Sequence, residues 1–163
     1  EASLYYGAIL LVGGIAGIWM GGSLADRFGA DKRRMYAIIP AVAFLATIPF
    51  YVGAVMSGSL VVSFVLFLVP TALGLVWLGP VLSSIQHVVP PHMRATASAV
   101  FLFVNNLIGI GLGTVALGAL SDALSAQYGD DSLRYAILAG TVLYLVAAAL
   151  FLLAGRRLER DWQ

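Results

Sequence analysis

The chain has 163 residues, of which 61% are hydrophobic and 10% charged, and its net charge is +1. A water-soluble domain covers its surface with about 25% charged residues, so this composition excludes a soluble enzyme, a nucleic-acid binder and a disordered linker. No cysteine is present, which removes disulfides, thiolate chemistry and cysteine-ligated zinc.

Five apolar stretches, 2–24, 35–55, 60–87, 95–120 and 135–154, are separated by short polar breaks. Each is long enough to cross a bilayer, which takes about 20 residues. None alternates apolar with polar residues as a membrane β-strand must. Helices are therefore expected, since in hydrocarbon each backbone N–H and C=O has to be satisfied within its own segment. The apolar start has no basic segment before it and does not read as a secretory signal.

The first span is rich in glycine: Gly7, Gly13, Gly14, Gly17, Gly21 and Gly22. Gly13, Gly17 and Gly21 share one face at a spacing of four, where a neighbouring backbone can come close. The second span has Gly53 alone. The third contains Pro70 and Pro80, each of which removes a backbone hydrogen bond and permits a bend. Trp77 falls near its mid-depth, and Ser83, Ser84 and Gln86 give its far end a polar face suited to a hydrated vestibule. Pro90 and Pro91 stop it, and Arg94 opens the fourth span. There Gly109, Gly111, Gly113 and Gly118 form a second small-residue surface, with Asn105 and Asn106 near the middle. Both glycine surfaces read equally as static packing or as smooth tracks for sliding helices.

Lysine and arginine fix the orientation. Arg27, Lys32, Arg33 and Arg34 follow the first span, Arg94 precedes the fourth, and Arg156, Arg157 and Arg160 follow the fifth. Only Arg134 lies on the opposite side, beside Asp122, Asp130 and Asp131. The positive-inside rule puts the C-terminal tail in the cytoplasm and Glu1 outside. Trp19 and Tyr36 are expected in the inner aromatic belt, and Tyr5 and Tyr6 in the outer one. An odd number of spans, beginning at a membrane boundary, predicts a piece of a larger protein. The expected organisation is a transmembrane bundle over 1–155 and a cytoplasmic tail over 156–163.

The segment Gly22-Ser23-Leu24-Ala25-Asp26-Arg27-Phe28-Gly29, followed by Lys32, Arg33 and Arg34, resembles the signature loop of the major facilitator superfamily. Ala30 departs from it, standing where the family usually has a cation. A basic loop that merely anchors topology would account for the cations but not for Gly22, Asp26 and Gly29. The run from Gly79 through Pro90, Pro91, Arg94 and Ser98, with Asn105-Asn106, the glycines after them and Leu120-Ser121-Asp122, is similar to the tenth and eleventh helices of bacterial spinster-like transporters. Thr114 departs from that pattern, standing where many relatives have proline. The resemblance covers the whole chain and aligns it with the eighth to twelfth of twelve helices.

It implies an all-α, polytopic membrane fold, five transmembrane helices of a major-facilitator-type six-helix bundle whose first helix is absent. It also implies a secondary transporter for a small amphipathic or lipid-like substrate, such as a lysolipid, in the cell inner membrane. The partners implied are the lipid bilayer and the missing N-terminal half. Drug, sugar or organic-anion transport is the alternative substrate class. By the same resemblance, Gly22, Asp26, Arg27, Gly29 and Arg33 form a conformational latch that holds the halves together on the cytoplasmic side; Arg94 at that boundary reads either as a topology anchor or as a partner in the latch. Asp26 is its anion.

For the substrate, Asn105, Asn106, Trp77, Ser83 and Ser84 are the candidates. A buried amide either bonds across helices or reads a head group, and adjacent positions on a helix cannot both face one neighbour. The first, third and fourth spans are expected to line the path, and the second and fifth to face lipid. His87 and His92 lie at the interface and read as ordinary interfacial histidines. No charged residue falls mid-helix, so any proton-coupling group lies outside these spans. An intramembrane hydrolase needs a nucleophile and base in contact. Only Ser84 with His87 is near enough, without a nucleophile elbow, so no enzyme, cofactor or metal site is expected.

Overall fold

The computed structural model describes residues 2–29 and 32–161, with the side chains of 2–6, 60, 130 and 159–161 outside the description. Glu1, Ala30 and Asp31 therefore lie outside the described residues, as do the side chains of Tyr5, Tyr6 and Arg160. Seven α-helices make five spans: α1 (Ala2–Gly29), α2 (Met35–Met56), α3 (Leu60–Leu73) with α4 (Leu78–Val88), α5 (Arg94–Val104) with α6 (Gly113–Tyr128), and α7 (Ser132–Asp161). No strand occurs among the described residues. All five spans are long and apolar enough to cross a membrane.

Three boundaries differ from expectation. The first span runs on to Gly29, so Asp26, Arg27 and Gly29 form its last helical turn and not a loop. The fifth runs on to Asp161, so most of the expected tail, with Arg156 and Arg157, is helical. The fourth continues to Tyr128, where Gly129 takes a positive φ of 52° to make the turn into α7.

The third span breaks over 74–77, as its prolines permit. Pro80 has no N–H to offer the carbonyl of Val76, four residues earlier, which removes one helical hydrogen bond at that turn. Single-turn bonds fill the gap: the Gly74 N–H donates to Pro70, Val76 to Leu73 and Leu78 to Leu75, at 2.7, 3.2 and 3.2 Å.

The second span has the largest buried share of the five within this chain. Tyr36, Ala37, Ile39, Pro40, Ala41, Ala43, Phe44, Thr47 and Ala54 are buried. Val42, Leu45 and Met56 stand exposed. Its small alanines let neighbours close in from two sides. Ile39 and Ala43 meet Val76 near the break, with Leu24 and Leu73 around them. Ala41 and Phe44 meet Ala148, with Trp77, Tyr144 and Phe151 around them. The Phe44 ring stands edge-on to Tyr144 at 5.5 Å, and Tyr51 joins the same column at 5.8 Å from Tyr144. The fourth span is the reverse case, with no buried residue in α5 or α6.

Candidate functional site

The first span's glycine face is filled as its spacing predicts. A Cβ at Gly13 would lie 3.3 Å from the Leu68 carbonyl oxygen, one at Gly17 would run into that of Ala72, and one at Gly21 into that of Val76. Glycine and carbonyl both recur every four residues, so two helix backbones lie in register. A Cβ at Gly79 would come within 2.9 Å of the Gly22 nitrogen, which extends the contact beyond the break.

The fourth span's glycines behave otherwise. At Gly109, Gly111 and Gly113 a Cβ would meet only atoms of the same span, at 3.7 to 3.9 Å, and at Gly118 nothing within 4 Å. Close packing by these glycines is absent among the described residues. Between α5 and α6, residues Asn105–Leu112 form a π-helix. The Asn106 side chain donates from Nδ2 to the Leu102 carbonyl at 2.7 Å, competing for an acceptor that the regular ladder would use. At the far end, Thr114 donates to the Ile110 carbonyl at 2.8 Å, a role the proline of the resembled pattern would not fill.

Two of the candidate substrate residues, Trp77 and Asn105, are connected through Phe101. Trp77, at the end of the break, packs edge-on against Phe101 at 6.0 Å. Asn105 lies one turn beyond Phe101 on the same face. Asn105 is half-buried, and its side-chain amide has no hydrogen bond among the described residues. Asn106 is exposed, and its amide bond stays within its own helix; neither amide ties two of these five spans together among the described residues. Ser84 and Ser83 lie two turns from Trp77. The Ser84 hydroxyl donates to the Pro80 carbonyl at 2.8 Å, and His87 Nδ1 lies 2.8 Å from the Ser83 carbonyl oxygen.

Ser98 stands in the resembled run, but the sequence assigns it no role. Its Oγ is buried without a hydrogen-bond partner among the described residues, one turn before Phe101. The available signal was its spacing of three and seven from Phe101 and Asn105.

The latch candidates gather at the end of α1. Gly29 is buried against the ring of Tyr36, so Tyr36 is a packing residue and not part of an exposed belt. Trp19 is 72% exposed. Arg27 lies over the Phe28 ring at 5.9 Å. Asp26 is exposed and has no hydrogen-bond or ion-pair partner among the described residues. Arg33 and Arg94 are exposed at the same end of the bundle. Among the described residues none of these cations pairs with Asp26, whereas Arg134 pairs with Asp131 at 3.7 Å on the opposite end.

Two open hollows lie elsewhere. A cleft of about 440 Å³ at the far end is lined by Ser57, Ser63, Phe67 and Arg134. An apolar groove of about 280 Å³ runs between α1 and α2, lined by Met20, Phe28 and Val42 among others. Neither contains a candidate substrate residue.

The sequence profile of the Major Facilitator Superfamily matches residues 1–114. An MFS-type efflux pump of Mycolicibacterium smegmatis is 33% identical over 99% of this chain and 38% of its own length. Protein spinster homolog 3 of Danio rerio is 27% identical over 98% of the chain and 34% of its own length. The crystal structure of a bacterial homolog of the human lysosomal transporter spinster, inward-facing and unoccupied, superposes with a TM-score of 0.87. It is 28% identical and covers all of this chain and 41% of its own. The occupied inward-facing form gives 0.69 over 93% of the chain. The chain thus spans about two fifths or less of these relatives. The signature turn at Asp26, the five spans and the profile agree: the chain belongs to the major facilitator superfamily, as a spinster-like member.

Proposed function

We propose that the chain is the eighth to twelfth helices of a twelve-helix secondary transporter that moves a small amphipathic or lipid-like substrate by rocking alternating access. The observation that carries this is the Trp77–Phe101 contact, which sets an aromatic surface beside the unpaired amide of Asn105. An acyl chain suits the rings, and a polar head group suits the amide. Ser83 and Ser84 continue the surface toward the end where Arg27, Lys32, Arg33, Arg34, Arg94, Arg156 and Arg157 collect. That end is the cytoplasmic one in this reading, and the membrane is the cell inner membrane. Gly22, Asp26, Arg27, Gly29, Arg33 and Arg94 act there as the latch against the other half.

The test is transport by the complete protein in proteoliposomes. Uptake or release of a lysolipid is the expected result, and the five-helix chain alone is expected to be inactive. Transport of a drug, sugar or organic anion with none of the lysolipid would move the substrate to another class. The efflux-pump relative gives that second reading its support.

A further inference from the structure

The pattern of the first span recurs in the fourth. Gly13, Gly17, Gly22, Leu24 and Asp26 are matched at one constant offset by Gly109, Gly113, Gly118, Leu120 and Asp122. The two spans run in opposite senses, so Asp26 stands near one end of the bundle and Asp122 near the other. After each aspartate a short connection leads to a span that packs back on the first, α2 in one copy and α7 in the other. α2 and α7 pack extensively on each other. That is expected of elements beside a twofold axis that exchanges the first span with the fourth and the second with the fifth. Inverted repeats nested within a half are a known way to build such transporters.

The two copies differ in what covers them. The first span's glycines hold the backbone of the third, whereas the fourth span's glycines meet no other span among the described residues. Ser121 turns toward α7, with its Oγ 3.3 Å from Ser132 Oγ. Asp122, about 100° further round the helix, is exposed and its carboxylate has no partner among the described residues. Ser125 bonds only its backbone carbonyl, at 2.6 Å. Like Asp26, Asp122 is an unpaired anion at the end of a glycine-rich span.

We propose that Asp122 is the outer-face counterpart of Asp26, an anion that meets a positively charged group of the transporter's other half when the outer face closes. The proposal rests on the latch reading of Asp26. Two anions at opposite ends of pseudo-equivalent helices then oppose one another: one favours the state closed to the cytoplasm, the other the state closed to the outside. The occupant of the outer contact is a cationic side chain or a helix N-terminus of that other half, because only positive charge repays the approach of a carboxylate there.

Distances between spin labels on the two halves, placed at the outer and at the cytoplasmic ends of the complete transporter, read the two faces separately. In Asp122→Asn the outer-end distances are expected to lengthen, with the ratio of outward-open to inward-open states rising on the order of fivefold. Asp122→Ser should do the same by a second route, and Asp122→Glu, which keeps the charge, should restore the wild-type distribution. An unchanged outer-end distribution in both neutral variants overturns the proposal, whatever Asp26→Asn does. An unchanged cytoplasmic-end distribution in Asp26→Asn instead overturns the latch reading on that face.

Discussion

Gly21 lies against the backbone carbonyl of Val76, with no room for a Cβ between them. Val76 sits in the break of the third span, and Pro80 has no N–H to take that carbonyl. The free oxygen faces the one residue type that lets a second backbone approach it. Contacts of this kind, Cα–H to carbonyl oxygen, contribute about 0.5 to 1 kcal/mol each, and Gly17 on Ala72 repeats the arrangement one turn away.

Alanine at Gly17 or Gly21 should therefore separate the first and third spans. Backbone atoms cannot swing aside as a side chain would, so a loss of about 1 to 3 kcal/mol is expected, the range for an overfilled core. Gly7→Ala is the control on the same helix, since a Cβ there meets nothing within 4 Å. Thermal melting of the three variants checks this: Gly17→Ala and Gly21→Ala melt below wild type, and Gly7→Ala matches it. Equal melting of all three would remove the close contact as a stabilising element.

Pro80→Ala separates stability from motion. It supplies the N–H that the Val76 carbonyl lacks and favours a continuous third span, a gain of up to about 1 kcal/mol from one hydrogen bond. Transport should fall while the melting temperature holds or rises. Faster transport in this variant would show that the break is not used as a joint.

The five spans were legible because a long apolar run has few alternatives in a bilayer; Pro80 permitted a break at 74–77, but Pro40 and Pro49 leave α2 continuous, so proline alone did not locate it. The burial of the second span was not legible. Lipid and protein interior are equally apolar, so Ala37, Ala41 and Ala43 read the same whether they face one or the other. For the same reason the first and fourth glycine faces read alike, although only the first is covered within the chain. Gly29 was read from the signature as a latch residue, and its contact with Tyr36 depends on α1 continuing through the signature as helix. The π-helix at Asn105–Leu112 begins where the Asn106 amide takes the Leu102 carbonyl. Composition carries no trace of that bond.

Asn105 and Asn106 now have distinct expectations. Neither bonds across these five spans, so alanine at either position should leave the melting temperature of the complete transporter nearly unchanged. Asn105→Ala should weaken substrate binding by about 0.5 to 1.5 kcal/mol, up to about tenfold in Kd. Asn106→Ala, whose amide is occupied by the Leu102 carbonyl, should change affinity less and act through the π-helix. Binding titrations beside thermal melts distinguish the two, and a large loss of stability at unchanged affinity would make Asn105 a structural tie to the other half.

Asp26 supplies the sharpest test of the latch. It is exposed in the last turn of α1 and unpaired among the described residues, so the five-helix unit itself gives it nothing to hold. A carboxylate against a positive helix N-terminus contributes about 0.3 to 1 kcal/mol when exposed and up to about 2 when partly buried. That attraction exists only when the cytoplasmic ends of the halves meet. Asp26→Asn keeps the size and removes most of the charge term, on the order of 1 kcal/mol, which changes a two-state ratio about fivefold. The variant should populate inward-open states more, read as longer label distances at the cytoplasmic ends, and should melt like wild type because no contact within the unit is lost. High salt should weaken the wild-type preference in the same direction, since an exposed charge pair is screened over about 10 Å at 0.1 M. Identical distributions in wild type and Asp26→Asn, at low and high salt, would leave Asp26 an ordinary helix-end anion.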